Sequence, residues 1–340
     1  MFLPVVILDR YGWQGLLMFA IPNVVGCTAF GYVLKTPERS KALVEKYRGV
    51  MACFAVVTVA FHVFFLACVA RYFINGIPAW GAIGLPAVAL AVAVALGFLA
   101  NRFWSILATI VWCTSVGIGL VYWPGSMETN AVQTHPWQDV IWLLPITTFG
   151  FLLCPYLDPT LHRALQSTPS RHSFGIFGVA FAIMIGLTCL YRDMVVVGLA
   201  TIILVHFVSQ SVFTMSAHIR EGWLCTTRSR RLLFAICATV ACIVALGVAH
   251  RTHSGVQQMI DDYLRFFVFY GLLFPGIVAA FMWTKRSFTP LRAGLFVLVA
   301  LCSLPLLEAG YIGEDPWFTI LPVVVFATWA FVDQPKQRLA

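Results

Sequence analysis

Residues 149–164 read FGFLLCPYLDPTLHRA. The stretch opens inside an apolar run, meets two prolines that bracket an aspartate, and closes on His162 and Arg163. A proline inside a helix removes a backbone donor and clashes with the preceding turn. A helix entering at Phe149 therefore cannot run unbroken to Ala164. The surrounding chain decides what medium such a broken helix stands in.

Of 340 residues, 60% are hydrophobic and only 11% are charged. Soluble domains carry about 25% charged residues. So much apolar surface cannot be hidden from water by a chain of this length, so the bilayer becomes the solvent. Polar residues cluster in short segments between long apolar runs, and none is long enough for a separate soluble domain. One transmembrane domain over residues 1–340 is expected.

The net charge of +8 follows from topology and contact with anionic lipid, because membrane proteins collect Lys and Arg in cytoplasmic loops. No basic run is interleaved with aromatics in the manner of a nucleic-acid site. The bilayer is the expected partner, with a small solute and no nucleic acid. Nine of ten cysteines lie in apolar runs and Cys225 in a basic loop. No CxxC pair occurs, and cysteine here acts as a small hydrophobe.

A helix needs about 20 apolar residues to cross the hydrocarbon layer. That length selects eleven segments: 12–34, 50–70, 79–100, 104–123, 138–157, 173–191, 194–214, 232–249, 263–283, 290–307 and 316–333. Backbone groups in lipid must be paired internally, so the expected class is all-α, a polytopic helix bundle. With the N-terminus outside and the C-terminus inside, seventeen of the 22 Lys and Arg fall in inside segments. The outside segments keep Arg10, Arg71, Arg192, Arg251 and Arg265 and are rich in acids, Glu128, Asp193, Asp261 and Glu308 among them. The expected location is an integral position in a bacterial inner membrane. MFLPVVIL, at the N-terminus, is too short to span. It reads as a re-entrant tip, an interfacial anchor, or the last turns of a helix.

Polar residues inside a membrane are costly and mark function by default. In 12–34, Asn23 follows Pro22, and is either a satisfied amide at a kink or a binding group. In 50–70, His62 is a hydrogen-bonded packing residue, a proton relay or a haem ligand. The 138–157 segment carries Pro145, Thr147, Thr148, Gly150, Cys154 and Pro155, then Asp158. Two prolines and a glycine predict a broken helix, and broken helices mark transporter binding sites. The two threonines can satisfy carbonyls freed by Pro155 or bind a cation. Asp158 can equally cap the next turn.

The segment LVHFVSQSVFTMSAH holds His206, Ser209, Gln210, Ser211 and Thr214, the densest polar set. His206, Ser209 and Gln210 stand at i, i+3 and i+4, so they share a face. No GxxxxGK[ST] or HExxH occurs, nor any GxSxG, so no enzyme is expected. HRTH at 250–253, with Asp261 and Asp262 nearby, is a conceivable surface metal site. TTRSRR at 226–231 reads as an inside anchor.

Two stretches resemble sodium:solute symporters of the LeuT-like five-plus-five inverted-repeat fold. WLLPITTFGFLLCPYLDPTLHRA is similar to that family's broken sixth core helix, with Gly150, Phe151, Pro155 and Arg163 in the same direction. IPNVVGCTAFGYVLKTPERSKAL is similar to its second core helix. The resemblance implies that the 194–214 segment is core helix 8, where the family places hydroxyls for sodium; Ser209, Ser211 and Thr214 match in type. The hydroxyls at 209 and 211 are not adjacent, as the family's usually are. Core helix 1 has no counterpart unless MFLPVVIL is its stub and the true start lies upstream of Met1.

The leading expectation is an ion-coupled secondary transporter or a degenerate relative. Thr147 and Thr148 with unwound carbonyls would meet the solute, and Na⁺ near Ser209, Ser211 and Thr214, or H⁺ at His206, would be the coupling ion. A second expectation is a membrane enzyme or electron carrier using His62 and His206, for example one with haem between them. A third is a non-transporting sensor or assembly subunit.

Overall fold

Helix α1 runs from Leu3 to Leu34 and bends at Gly12, which holds φ 66° and ψ −168°. That backbone region is essentially open to glycine alone. A computed structural model describes residues 2–73, 79–121, 135–168, 170, 172–196, 200–251, 256–285 and 289–333, and every regular element among them is helical. Glu128, His253 and four of the seventeen Lys and Arg counted as inside (Arg171, Arg286, Lys336 and Arg338) lie outside the described residues.

The turns before Gly12 correct the expected start of the first segment. Leu3 to Leu8 are buried, so MFLPVVIL is neither an interfacial anchor nor a tip at the surface. Phe2 meets the rings of Phe65, Phe207 and Tyr263 at 5.8–6.0 Å. A run of apolar residues free of charge can lie inside the bundle, and Leu3–Leu8 do.

After α1 come α2 (Pro37–Phe73), α3 (Ala79–Gly97) and α4 (Arg102–Val121). A short turn α5 (Trp137–Val140) leads to α6 (Leu143–Leu153), a 3₁₀ turn (Cys154–Leu157) and α7 (Pro159–Ser167). Next are α8 (Ser173–Val196), α9 (Ala200–Cys225), α10 (Arg231–Arg251) and α11 (Val256–Val268). α11 continues through a π turn (Phe269–Leu273), α12 (Phe274–Ile277) and a second π turn (Val278–Trp283). The last elements are α13 (Pro290–Leu307) and α14 (Ile320–Val332).

Among the described residues, seven helical stretches are long and apolar enough to cross a membrane: those of α1, α2, α4, α9, α10, α11–α12 and α13. Shorter apolar helices stand at Gly81–Gly97, Leu143–Leu157, Ser173–Cys189 and Pro316–Val332. Two boundaries move. α2 starts thirteen residues before the expected 50, because its charged first turns are helical too, with an off-helix φ/ψ at Tyr47. The expected 194–214 segment divides: 194–196 belong to α8, while α9 continues to Cys225.

α2 is the pillar, packing against α3, α7, α9 and α10, while α1 packs against α6 and α8. An aromatic seam joins α2 to α11–α12: Phe54 with Phe274 at 4.7 Å, Phe61 with Tyr263 at 5.1 Å, Phe64 with Phe266 at 4.9 Å. Apolar side chains also cover the outside. Ile176 is 75% exposed, and Leu232, Ile236, Val240, Ile243 and Val244 expose one flank of α10. Monomeric soluble proteins rarely show contiguous apolar surface of this kind; here it meets acyl chains.

Candidate functional site

The site is built around the break in FGFLLCPYLDPTLHRA. Helix α6 ends at Leu153, four residues turn as 3₁₀, and Asp158 is extended at φ −79°, ψ 107°. Pro159 then starts α7 at the first helical position, where a missing N–H costs nothing. The Asp158 carboxylate caps α7, accepting the Thr160 N–H at 2.8 Å and the Thr160 hydroxyl at 2.6 Å through the same oxygen. Asp158 therefore does serve as a cap.

Glycines pinch α6 just before the break. A Cβ on Gly26 of α1 would stand 1.9 Å from the Phe151 carbonyl oxygen. One on Gly150 would stand 2.9 Å from the Tyr270 carbonyl and 3.1 Å from Gly271 Cα. The Cys154 thiol donates to the Tyr270 carbonyl at 2.9 Å. Gly150 is buried in one of these crossings and Pro155 is buried in the turn that follows. The Thr147 hydroxyl bonds the Met18 carbonyl at 2.8 Å and the Leu143 carbonyl at 2.9 Å. It ties α6 to α1 and leaves the Pro155 region alone. The half-buried Thr148 hydroxyl has no hydrogen-bond partner among the described residues. Asn23 is buried, and its Oδ1 takes only a 3.9 Å contact from Cys27 Sγ.

The polar set on α9 splits into two faces. Ser115 of α4 donates to the Val111 carbonyl at 2.9 Å, and His206 Nδ1 (2.8 Å) and Gln210 Nε2 (3.0 Å) both donate to the Ser115 oxygen. That face is an interhelical clamp. Ser209 donates to the His206 carbonyl at 3.0 Å. The other face carries Phe207, Ser211, Thr214 and His218, at i, i+4, i+7 and i+11. It looks at α2: Phe207 meets Phe65 at 5.2 Å, and His218 meets Phe54 at 5.9 Å. The hydroxyls of Ser211 and Thr214 have no partner among the described residues.

Two expectations are corrected by this split. Ser209 and Ser211 stand roughly 200° apart around the helix axis, so Ser209, Ser211 and Thr214 do not converge as a sodium site. His206 turns to α4, whereas His62 sits on α2 with its Nδ1 on the Thr58 carbonyl at 2.8 Å. The two imidazoles do not face each other across a haem. Among the described residues no three His, Cys, Asp or Glu side chains are grouped to hold a metal ion.

Between α9 and the break lies a polar layer that sequence reasoning missed. Tyr270 donates to Thr58 Oγ1 at 2.9 Å, and Thr58 donates to the Phe54 carbonyl at 2.9 Å. His218, 4% exposed, completes it. Two signals were present: Thr58 stands four residues before His62, and His218 closes the LVHFVSQSVFTMSAH motif just past the expected segment end.

Both ends of the bundle carry ionic ties. From Gly12 to Leu34, α1 rises about 33 Å at 1.5 Å per residue, so Arg10 and the α7 region lie at opposite ends. Arg10, 7% exposed, pairs with Asp261 at 2.9 Å and Glu314 at 3.0 Å and donates to the Tyr311 carbonyl at 2.8 Å. Arg265 pairs with Asp262 at 2.6 Å and also with Glu308. At the α7 end, Arg163 pairs with Glu221 of α9 at 3.0 Å, and Arg220 joins at 3.3 Å. His162 is buried, with Nδ1 on Ser40 Oγ at 2.9 Å and Nε2 on the Tyr156 carbonyl at 3.1 Å. Gln166 donates to the same Ser40 oxygen at 2.9 Å. Burial holds the His162 proton affinity below the ordinary histidine value, and the Tyr156 bond and Asp158 charge offset only part of that. His162 and Arg163 thus hold α7 in place.

The chain matches no protein-family model, no curated protein and no solved structure.

Proposed function

We propose that this protein is a secondary transporter of small solutes, with eleven spans, the N-terminus outside and a LeuT-like arrangement of helices. One observation carries the reading: a helix interrupted at the end of its apolar run by a 3₁₀ turn and an extended Asp158, beside a helix with unbonded hydroxyls. In lipid such a backbone break is tolerated only where protein buries it or where it lines a cavity. The seven long helices and four shorter ones stand where the eleven apolar segments were expected, which supports the count. The packing of α7, just past the break, on α9 supports reading the broken helix and the polar one together.

The solute would meet the break, Thr148 and the Ser211–Thr214 face of α9. The Arg10–Asp261 tie closes one end and the Arg163–Glu221 tie the other. Opening one while the other holds is alternating access, carried by one helix bundle rocking on another. Uptake into proteoliposomes tests this, using radiolabelled amino acids, sugars, nucleobases and monocarboxylates under imposed sodium and proton gradients. Gradient-dependent accumulation of one solute class is expected. Correctly folded protein that accumulates none of them under either gradient overturns the proposal.

A further inference from the structure

The polar layer between α9 and the break holds one carboxylate and one imidazole that its hydrogen bonds leave unused. Asp158 caps α7 through Oδ1 alone; Oδ2 has no hydrogen bond and the carboxylate no ion pair among the described residues. His218 is buried, and its Nδ1 has no hydrogen-bond partner. An unpaired buried ring nitrogen is costly, so its retention calls for a ligand. Geometry brings the two together: α7 packs on α9, and Phe54 meets both His218 at 5.9 Å and Tyr270 at 5.6 Å, whose carbonyl holds Cys154 at the start of the break.

The other groups around His218 are engaged. From α2, His62 lies within electrostatic reach, but its Nδ1 is on the Thr58 carbonyl at 2.8 Å. At the break, the Cys154 thiol is on the Tyr270 carbonyl at 2.9 Å. From the π turn, Tyr270 spends its hydroxyl on Thr58 at 2.9 Å. Along α9, Glu221 is held by Arg163 at 3.0 Å and Arg220 at 3.3 Å.

We propose that His218 and Asp158 form a proton-binding site, in which His218 Nδ1 takes up the proton and the Asp158 carboxylate balances the new charge. The step adds one proton to a neutral imidazole and breaks no other bond. A lone imidazolium is disfavoured in a buried place, and an opposite charge nearby restores it. The layer thereby passes between one negative charge and none. Its role as the coupling step rests on the transport reading above, in which it replaces His206 as the proton group; the binding of the proton does not.

The test is direct titration. Protein carrying ¹⁵N-labelled histidine, in lipid nanodiscs without solute, is followed by NMR from about pH 8 to about pH 4.5, spanning the histidine range. The His218 signal is identified by its loss in His218→Gln. Reversible protonation of that ring is expected, with proton affinity falling at least about tenfold, one pH unit, in Asp158→Asn. Asparagine keeps the helix cap, so this variant separates charge from folding. A His218 ring that stays neutral throughout, or an affinity unchanged in Asp158→Asn, overturns the proposal. So does a midpoint that moves when sodium replaces choline, which would make the carboxylate a sodium site. A ring that titrates in protein lacking any uptake would sink the transport reading and leave the proton site standing.

Discussion

Gly12 shows how much one residue decides. Its φ of 66° with ψ −168° lets the buried first turns of α1 meet the long arm at an angle. Gly12→Ala should cost about 1–3 kcal/mol, read as a lower thermal unfolding midpoint in detergent. His162 is a second such residue. Its proton affinity is lower folded than unfolded, so the unfolded chain binds more protons as the pH drops through the ordinary histidine value. Stability is complete above about pH 6.5 and is lost below it. The unfolding temperature should therefore fall between about pH 7 and about pH 5, and part of that fall should vanish in His162→Gln. The sequence showed that Asp158 and Pro159 interrupt a helix, because a proline's missing N–H is local chemistry. It did not show that His162 is buried, because that depends on Ser40, more than a hundred residues earlier in the chain.

At the scale of elements, α6 and α7 are separate helices whose relative placement is set by three others. Gly26 of α1 touches the Phe151 backbone, and Gly271 touches Gly150. Gly26→Val should lower stability by about 2–3 kcal/mol through overpacking, whereas Gly49→Ala, with open space around its Cβ position, should not. Both are read from thermal unfolding. The tie to α9 is ionic: Glu221 is only 8% exposed, and Arg163 is one of its two partners. Arg163→Ala should speed amide hydrogen exchange across α7 (Pro159–Ser167) and leave α10 unchanged, as mass spectrometry of exchanged peptides would show. The existence of α9 was legible from its apolar run. Its extent was not, since a ruler based on hydropathy stops at Ser216 and His218, whereas the helix continues because those polar groups face protein.

For the whole molecule, the apolar composition was enough to read an all-helical bundle, since the bilayer leaves a long apolar chain few alternatives. The assignment of faces was beyond it. Periodicity grouped His206, Ser209 and Gln210, but only the neighbouring helices determine that Ser115 clamps one face while α2 receives the other. The ionic ties belong to this scale too. Arg10→Ala removes the cation from Asp261 and Glu314 at one end, and Arg163→Ala weakens the other. Each variant should bias the bundle toward opening at its own end. By pulsed electron resonance, the distance between spin labels on α7 and α9 should lengthen in Arg163→Ala alone, and that between labels on α1 near Arg10 and α11 in Arg10→Ala alone.

The pinched helix α6 has a mechanical consequence. A rod gripped close to its C-terminal end by two backbones, through Gly26 and Gly271, is a lever with one short arm and one long. Its two arms run to Leu153, beside the break, and to Leu143, next to Trp142, whose carbonyl accepts the Thr319 hydroxyl at 3.4 Å. A tilt that widens the space at one arm must narrow it at the other. A bulky side chain at the grip would freeze both arms together, whatever the state of the charges at either end.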